Sequence, residues 1–171
     1  ARLRLDLRLY FRMTNEPLLS VEGLSVAFNT EQGRVRVVDD VSFHLGAGQT
    51  LGLVGESGCG KSVTAQTIMR LLPSPPSRIE SGRILFEGED LAVLPDSRMR
   101  RIRGDRIGMV FQEPMTSLNP TQRIGRQIAE VLSLHRGLSY GNAKALVISA
   151  LRKVGIGNAE RRLEQYPHEL S

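Results

Sequence analysis

The sequence predicts an α/β fold in which a buried strand leads through a glycine-rich loop into a helix, and three observations predict it. Residues 50–54 read TLGLV, uniformly apolar as a strand covered on both faces would be. Residues 55–62 read GESGCGKS, three glycines closing on Lys-Ser. From residue 62 the run SVTAQTIMRLL repeats apolar residues at helical spacing and stops at Pro73.

Other elements follow in chain order. The opening ARLRLDLRLYFRM alternates basic and apolar residues at period two, which suits an exposed strand and equally an upstream, non-native extension over residues 1–12; no function is assigned there. LLSVEGLSVAF, VRVV and VSFHL are β-rich runs parted by Gly, Asn and Asp, hence strands joined by tight turns. After a Pro/Ser-rich connection at 73–81 come a strand RILFEG, a basic segment at 98–106 and a second apolar strand IGMVF. Beyond Gln112 the pattern is helical. IGRQIAEVLSLH puts Ile124, Ile128, Val131 and His135 on one face. Ser139 can cap a second helix whose face holds Leu146, Ala150, Leu151 and Val154 and which ends at Gly155. A short third helix spans 159–165.

Composition narrows the class. With 40% hydrophobic and 24% charged residues among 171, the chain reads as one globular domain with a core. No run approaches the roughly 18 apolar residues of a membrane span, and no charged-then-apolar leader opens it, so a cytoplasmic place is expected. Cys59, the only cysteine, excludes an intrachain disulfide and a cysteine-built metal site. The pI near 10.0 suggests nucleic acid until the charge is located. Arg2, Arg4, Arg8 and Arg12 against Asp6 carry +3 of the total +5. The remainder lacks an aromatic-interleaved basic stripe, so no nucleic-acid partner is expected.

GESGCGKS fits G-x-x-x-x-G-K-[ST] fully, in the required strand–loop–helix context. Gly55, Gly58 and Gly60 let the backbone turn its N–H groups inward, an anion nest at a helix N-terminus where the dipole also favours negative charge. Lys61 then reaches the β- and γ-phosphates of a purine nucleoside triphosphate, ATP foremost, and the Ser62 hydroxyl is placed for Mg²⁺. Glu56, Ser57, Cys59 and Val63 complete the candidate nucleotide-binding set. Cys59 reads either as a small filler or as a thiol activated by Lys61.

A second motif separates the phosphate-loop classes. No Asn/Thr-Lys-x-Asp base-reading motif is present, and Asp105–Gly108 spells D-x-x-G on the wrong side of its strand, so a GTPase is set aside. The loop, the segment MVFQEPMTSLNP at 109–120 and the ending YPHELS at 166–171 together resemble the nucleotide-binding domain of an ABC transporter. The resemblance covers residues 18–171. More narrowly, the chain is similar to importers of dipeptides, oligopeptides, glutathione and nickel, and RLLPSPP with EVLSLHRG is similar to the first half of twin-domain ATPases for peptide and microcin C uptake.

That resemblance implies a P-loop NTPase core with an antiparallel β subdomain and, over 113–171, the start of a helical subdomain. It makes Gln112 the Q-loop glutamine, which senses Mg²⁺ and the γ-phosphate, and places Phe28 like the aromatic that stacks on adenine, although Phe28 alternates with Leu24 and Val26 as a core residue would. Leu170 and Ser171 would begin the LSGGQ signature. Implied partners are a second nucleotide-binding domain and membrane permease subunits, at the inner face of the cell membrane.

The sequence stops within that signature. Phosphoryl transfer to water needs a carboxylate for Mg²⁺ and a residue orienting the water, which the family takes from a Walker B strand and a switch histidine beyond this point. Glu87 and Glu113 follow apolar runs but already have other assignments, so no catalytic residue is assigned and at most trace ATPase activity is expected. The fold is thus read as incomplete. The reading is the ATP-binding part of a peptide importer, with a nucleotide-binding remnant without turnover as the alternative and a nucleic-acid-associated ABC ATPase far behind.

Overall fold

The computed structural model describes residues 17–112 and 118–170, which divide after Asp96 into two compact units. The expectations for residues 1–12, for Glu113 and for Ser171 lie outside the described residues.

The first unit is built on an antiparallel sheet of order β2-β1-β3-β4, with β1 Leu19–Thr30, β2 Gly33–Leu45, β3 Ser77–Phe86 and β4 Glu89–Asp90. β1 and β2 form a hairpin closed by Thr30 opposite Gly33. There the Thr30 hydroxyl donates to the Gly33 carbonyl at 2.7 Å, and Gly33 takes φ +117°, a region open to glycine. VRVV and VSFHL, expected as two strands, are one continuous β2.

β1 is the central strand, paired to β2 on one side and β3 on the other. Register irregularities near Gly23, Ser25 and Val26 break its alternation, so Leu24, Ser25, Val26 and Ala27 are all buried in succession. Val21, Val38, Ile84 and Leu91 complete the core with Ile68 and Met69 of the helical segment.

Helix α1, Lys61–Ile68, is shorter than the spacing predicted. Arg70 turns into the left-handed region at φ +50°. The Arg70 and Leu71 amides donate back to Thr67 and Gln66 carbonyls, which closes the helix well before Pro73. The Arg70 guanidinium donates to the Leu94 carbonyl and pairs with Asp96 at 2.8 Å, which holds this non-glycine turn in place.

Two expected strands are not strands. Residues 50–54 carry no ladder, and Leu51, Leu53 and Val54 are 43%, 44% and 97% exposed. Residues 107–111 keep a single bridge between Ile107 and Arg103, and Val110 is 90% exposed. Apolar composition suits a buried strand, but a strand exists only where a neighbour accepts and donates along it. Among the described residues neither run has such a neighbour.

The second unit is helical: α2 Asp96–Ile102, whose first residue belongs to the first unit, then α3 Ile124–Arg136, α4 Tyr140–Lys153 and α5 Ala159–Arg162, with a 3-10 turn at Pro167–Glu169. The α3–α4 hairpin packs Ala129, Ala143, Val147 and Leu151 against Ala159 and Leu163. The buried face of α3 therefore centres on Ile124, Gly125 and Ala129, and Val131 stays 47% exposed. In α4 the buried face is Ala143, Val147 and Leu151; of the expected Leu146, Ala150, Leu151 and Val154 only Leu151 is buried. Both faces satisfy helical spacing, and the one that is buried is the one that meets Ala159 and Leu163. The Ser139 cap is as predicted, its hydroxyl accepting from the Asn142 amide at 3.4 Å. Past the end of α4, Gly155 at φ +79° and Ile156 donate to the Arg152 and Leu151 carbonyls.

Candidate nucleotide-binding site

The loop that the sequence singles out folds as a cup. The Cys59 amide donates to the Glu56 carbonyl at 3.3 Å, and Gly58 and Gly60 take φ +86° and +93°. Gly60 is the N-cap of α1 and offers no side chain to satisfy the first amides of the helix. It is also where the loop rests on the sheet. A Cβ at Gly60 would stand 2.8 Å from the Val37 carbonyl oxygen and 3.2 Å from Val38 Cγ2. Glycine is required there twice, for its dihedral angle and for its missing atom.

Across the cup runs Lys61. Its ammonium donates to the carbonyls of Gly55 at 2.8 Å and Glu56 at 2.7 Å and lies 3.5 Å from Cys59 Sγ. Gly55 faces the same thiol, since a Cβ there would meet it at 2.6 Å. Gly55, Glu56, Ser57, Gly58, Cys59 and Ser62 are all exposed. Among the described residues nothing accepts from the backbone amides of Lys61, Ser62 and Val63. The first helical bond inside α1 begins one residue later, from the Thr64 amide to the Gly60 carbonyl at 2.8 Å. The helix start thus keeps N–H groups without an acceptor among the described residues, the kind of terminus that can take an anion.

Sequence reading passed over two residues that hold this frame. Thr64 and Thr67 are buried, and their hydroxyls donate to the Gly60 and Val63 carbonyls at 2.9 and 2.7 Å. Thr64, four residues after the cap Gly60, and Thr67, four after Val63, carry that signal in sequence, because a buried hydroxyl inside a helix has few acceptors other than the preceding turn.

The remaining candidates stand apart in character. Phe28 is half-buried near the end of β1, opposite Val35 and Ser77. Its alternation with the fully buried Leu24 and Val26 does not persist, because the irregularity after Val26 turns Ala27 into the core as well. Gln112 belongs to the second unit, exposed on an irregular stretch.

Residues 38–171 match the family described as ABC transporter. The chain belongs to that family. This ABC chain is 51% identical over 154 residues to the oligopeptide transport ATP-binding protein OppD of Bacillus subtilis strain 168, covering 90% of itself and 43% of OppD. It is 52% identical over 156 residues to the uncharacterized ABC transporter ATP-binding protein YejF of Escherichia coli K12, covering 91% of itself and 30% of YejF. The chain therefore spans less than half the length of these two relatives. Its fold matches the dimeric bacterial ABC transporter cassette MJ0796 with a TM-score of 0.74 at 21% identity, covering 90% of this chain and 63% of the cassette. That cassette has also been solved bound to ADP and Pi, and matches with a TM-score of 0.75. Among the described residues no helix is long and apolar enough to cross a membrane.

Proposed function

We propose that this chain is the ATP-binding part of an ABC importer subunit, in which ATP binding and hydrolysis are coupled to uptake of peptides or related solutes. The observation that carries the reading is the loop Gly55–Ser62, with left-handed Gly58 and Gly60, the Lys61 ammonium folded back onto the Gly55 and Glu56 carbonyls, and the Lys61, Ser62 and Val63 amides without an acceptor among the described residues. The donor set fits Mg²⁺ as ATP brings it: an exposed hydroxyl on Ser62 joins phosphate oxygens, the hard oxygen ligands this ion prefers. Ser62 would hold Mg²⁺ together with the nucleotide, and the ion would supply positive charge against that of the phosphates. Lys61 would give up its carbonyl partners for the far phosphate, and the amides at the start of α1 would hold the near ones.

Gln112, as a sensor of Mg²⁺ and the γ-phosphate, and Phe28, as an adenine platform, are assigned by resemblance alone. Partners in the assembled importer would be a second nucleotide-binding domain and permease subunits, with the chain peripheral on the cytoplasmic face of the membrane. The apolar runs at 50–54 and 107–111, which include the exposed Leu51, Leu53, Val54, Val110 and Phe111, would become strands of such a domain once neighbouring strands paired with them. The same runs favour a second reading, a nucleotide-binding remnant without turnover.

Calorimetry tests the loop. Mg-ATP titrated into folded chain gives saturable heat, and Lys61→Ala weakens it at least about 100-fold, since charge-assisted hydrogen bonds contribute roughly 1.5–3 kcal/mol each. Absence of heat from well-folded chain would sink the proposal. A reading frame continuing from Ser171 into Gly-Gly-Gln and an apolar run ending in Asp-Glu decides between the importer and the remnant.

A further inference from the structure

Positive charge in this chain is segregated. Residues 97–108 hold Arg98, Arg100, Arg101, Arg103 and Arg106 against Asp105 alone, and residues 133–137 add Arg136 with no acid. Together these two stretches balance +5, whereas residues 13–171 as a whole balance only +2, so the rest of that span is −3. A cationic surface on an otherwise acidic body steers it toward negative partners.

The fold brings the two stretches onto one surface. In α2, Met99 and Ile102 are buried, which turns Arg100 and Arg101 to the exposed side of the helix. Past α2 the chain closes a tight loop. The Arg106 and Ile107 amides both donate to the Ile102 carbonyl, at 2.9 and 3.0 Å, and Gly104, at φ +85°, donates to the Ile107 carbonyl at 3.0 Å. That loop lies against the last turn of α3, since a Cβ at Gly104 would stand 2.9 Å from His135 Nε2. Arg136, next along α3, is exposed. Arg98, Arg103 and Arg106 hold interactions of their own within the chain, so the outward charge is carried above all by Arg100, Arg101 and Arg136. Asp96 at the start of α2 is paired with Arg70 at 2.8 Å.

One further residue narrows the partner. Leu134, beside His135, is 73% exposed. A nucleic acid would meet the arginines and gain nothing from a leucine, and an acidic peptide is held by a groove or a strand edge. Guanidinium groups spread over a helix, a loop and a helix end, with an apolar side chain next to them, match a surface that is negative outside and apolar just beneath. We propose that this face of the second unit docks directly on anionic lipid headgroups of a bilayer. The contact goes beyond the proposed function and needs no nucleotide, so either can fail without the other.

Flotation of the full chain with vesicles of equal parts phosphatidylglycerol and phosphatidylcholine tests it. The chain binds these vesicles and not vesicles of phosphatidylcholine alone, and rising NaCl weakens the binding, because screened charges attract less. Arg100→Gln with Arg101→Gln lowers vesicle affinity about 25-fold, roughly fivefold for each arginine near an anionic surface. Arg100→Lys with Arg101→Lys retains it. Lys153→Gln with Arg161→Gln removes the same charge from exposed positions outside the patch and changes affinity less than about twofold. Leu134→Ser weakens vesicle binding about threefold or more and leaves binding to a duplex DNA probe unchanged. Binding that survives the double glutamine variant belongs to the basic opening of the chain and overturns the proposal. Equal losses from the two double variants, or indifference of the unaltered chain to salt, overturn it as well. Tighter binding to the DNA probe or to polyglutamate than to the vesicles, or no effect of Leu134→Ser, overturns the choice of lipid. The salt series needs no substitution, so it decides the matter even where a variant fails to fold.

Discussion

Helices α1 and α3 both begin without a side-chain cap, and they solve the problem in opposite ways. At α3 the carbonyls of Leu163 and Gln165 take the first two amides. At α1 nothing among the described residues takes the amides of Lys61, Ser62 and Val63, and an ammonium is set beside them. Both junctions depend on a glycine with no room for a methyl group, Gly60 against Val37 and Gly125 against Leu163. The physics of the helix terminus is the same in both, and its use is set by what the rest of the chain offers to it. A terminus met by the protein's own carbonyls becomes a structural joint, and one left bare beside a cation becomes a place for an anion.

The largest effect that can break this comparison comes at Gly60. Gly60→Ala meets both the left-handed dihedral, at roughly 1–2 kcal/mol, and a carbonyl oxygen at 2.8 Å. Denaturant unfolding should show a loss of about 2–4 kcal/mol, overpacking included, and Mg-ATP heat should vanish. Gly125→Ala comes next. It keeps a helical dihedral and gains about 1 kcal/mol of helix propensity against overpacking of roughly 1–3 kcal/mol. A net loss of about 0–2 kcal/mol is expected, with Mg-ATP affinity unchanged within about twofold. If Gly125→Ala abolished nucleotide binding, or Gly60→Ala spared it, the division of labour between the two termini would be wrong.

Smaller effects sharpen the contrast. α4 has an ordinary cap, so Ser139→Ala should cost only about 0.5–1 kcal/mol by thermal or denaturant unfolding, the low end for a hydroxyl whose bond is 3.4 Å long. The sheet supplies the smallest effect. Burial of the Glu80 carboxylate works to raise its pKa, but hydrogen bonds and charge from Arg34 and Arg36 outweigh it and hold the group below the ordinary 4.5. A depressed carboxylate stabilises the fold above its ordinary value, and that stabilisation is lost as pH falls below 4.5 through the lowered value. Glu80→Gln should flatten the acid limb of the stability profile between about pH 5 and the lowered value, and leave Mg-ATP heat at neutral pH unchanged.

Local chemistry was legible in the residues themselves. The glycines, Lys61 and Ser62 carry their requirements in a short stretch, since a cup of amides at a helix start needs only neighbouring dihedral angles and one long cation. The Ser139 cap and the Gly155 stop are local in the same sense, whereas β3 begins at Ser77, inside the stretch 73–81 expected as a connection, because β1 pairs with it there. What tertiary structure alone decided were matters of pairing. TLGLV and IGMVF have the composition of buried strands, yet strand formation waits on a partner from elsewhere in the chain. The expected faces of α3 and α4 held Ile124 and Leu151 rightly, but packing took Ala129, Ala143 and Val147 in place of Val131, Leu146, Ala150 and Val154, because two stripes satisfied the same period. The need for glycine at 125 comes from the Leu163 carbonyl beside it, a neighbour distant in sequence. A sequence states what each residue can tolerate nearby, and only the folded chain determines which neighbour comes.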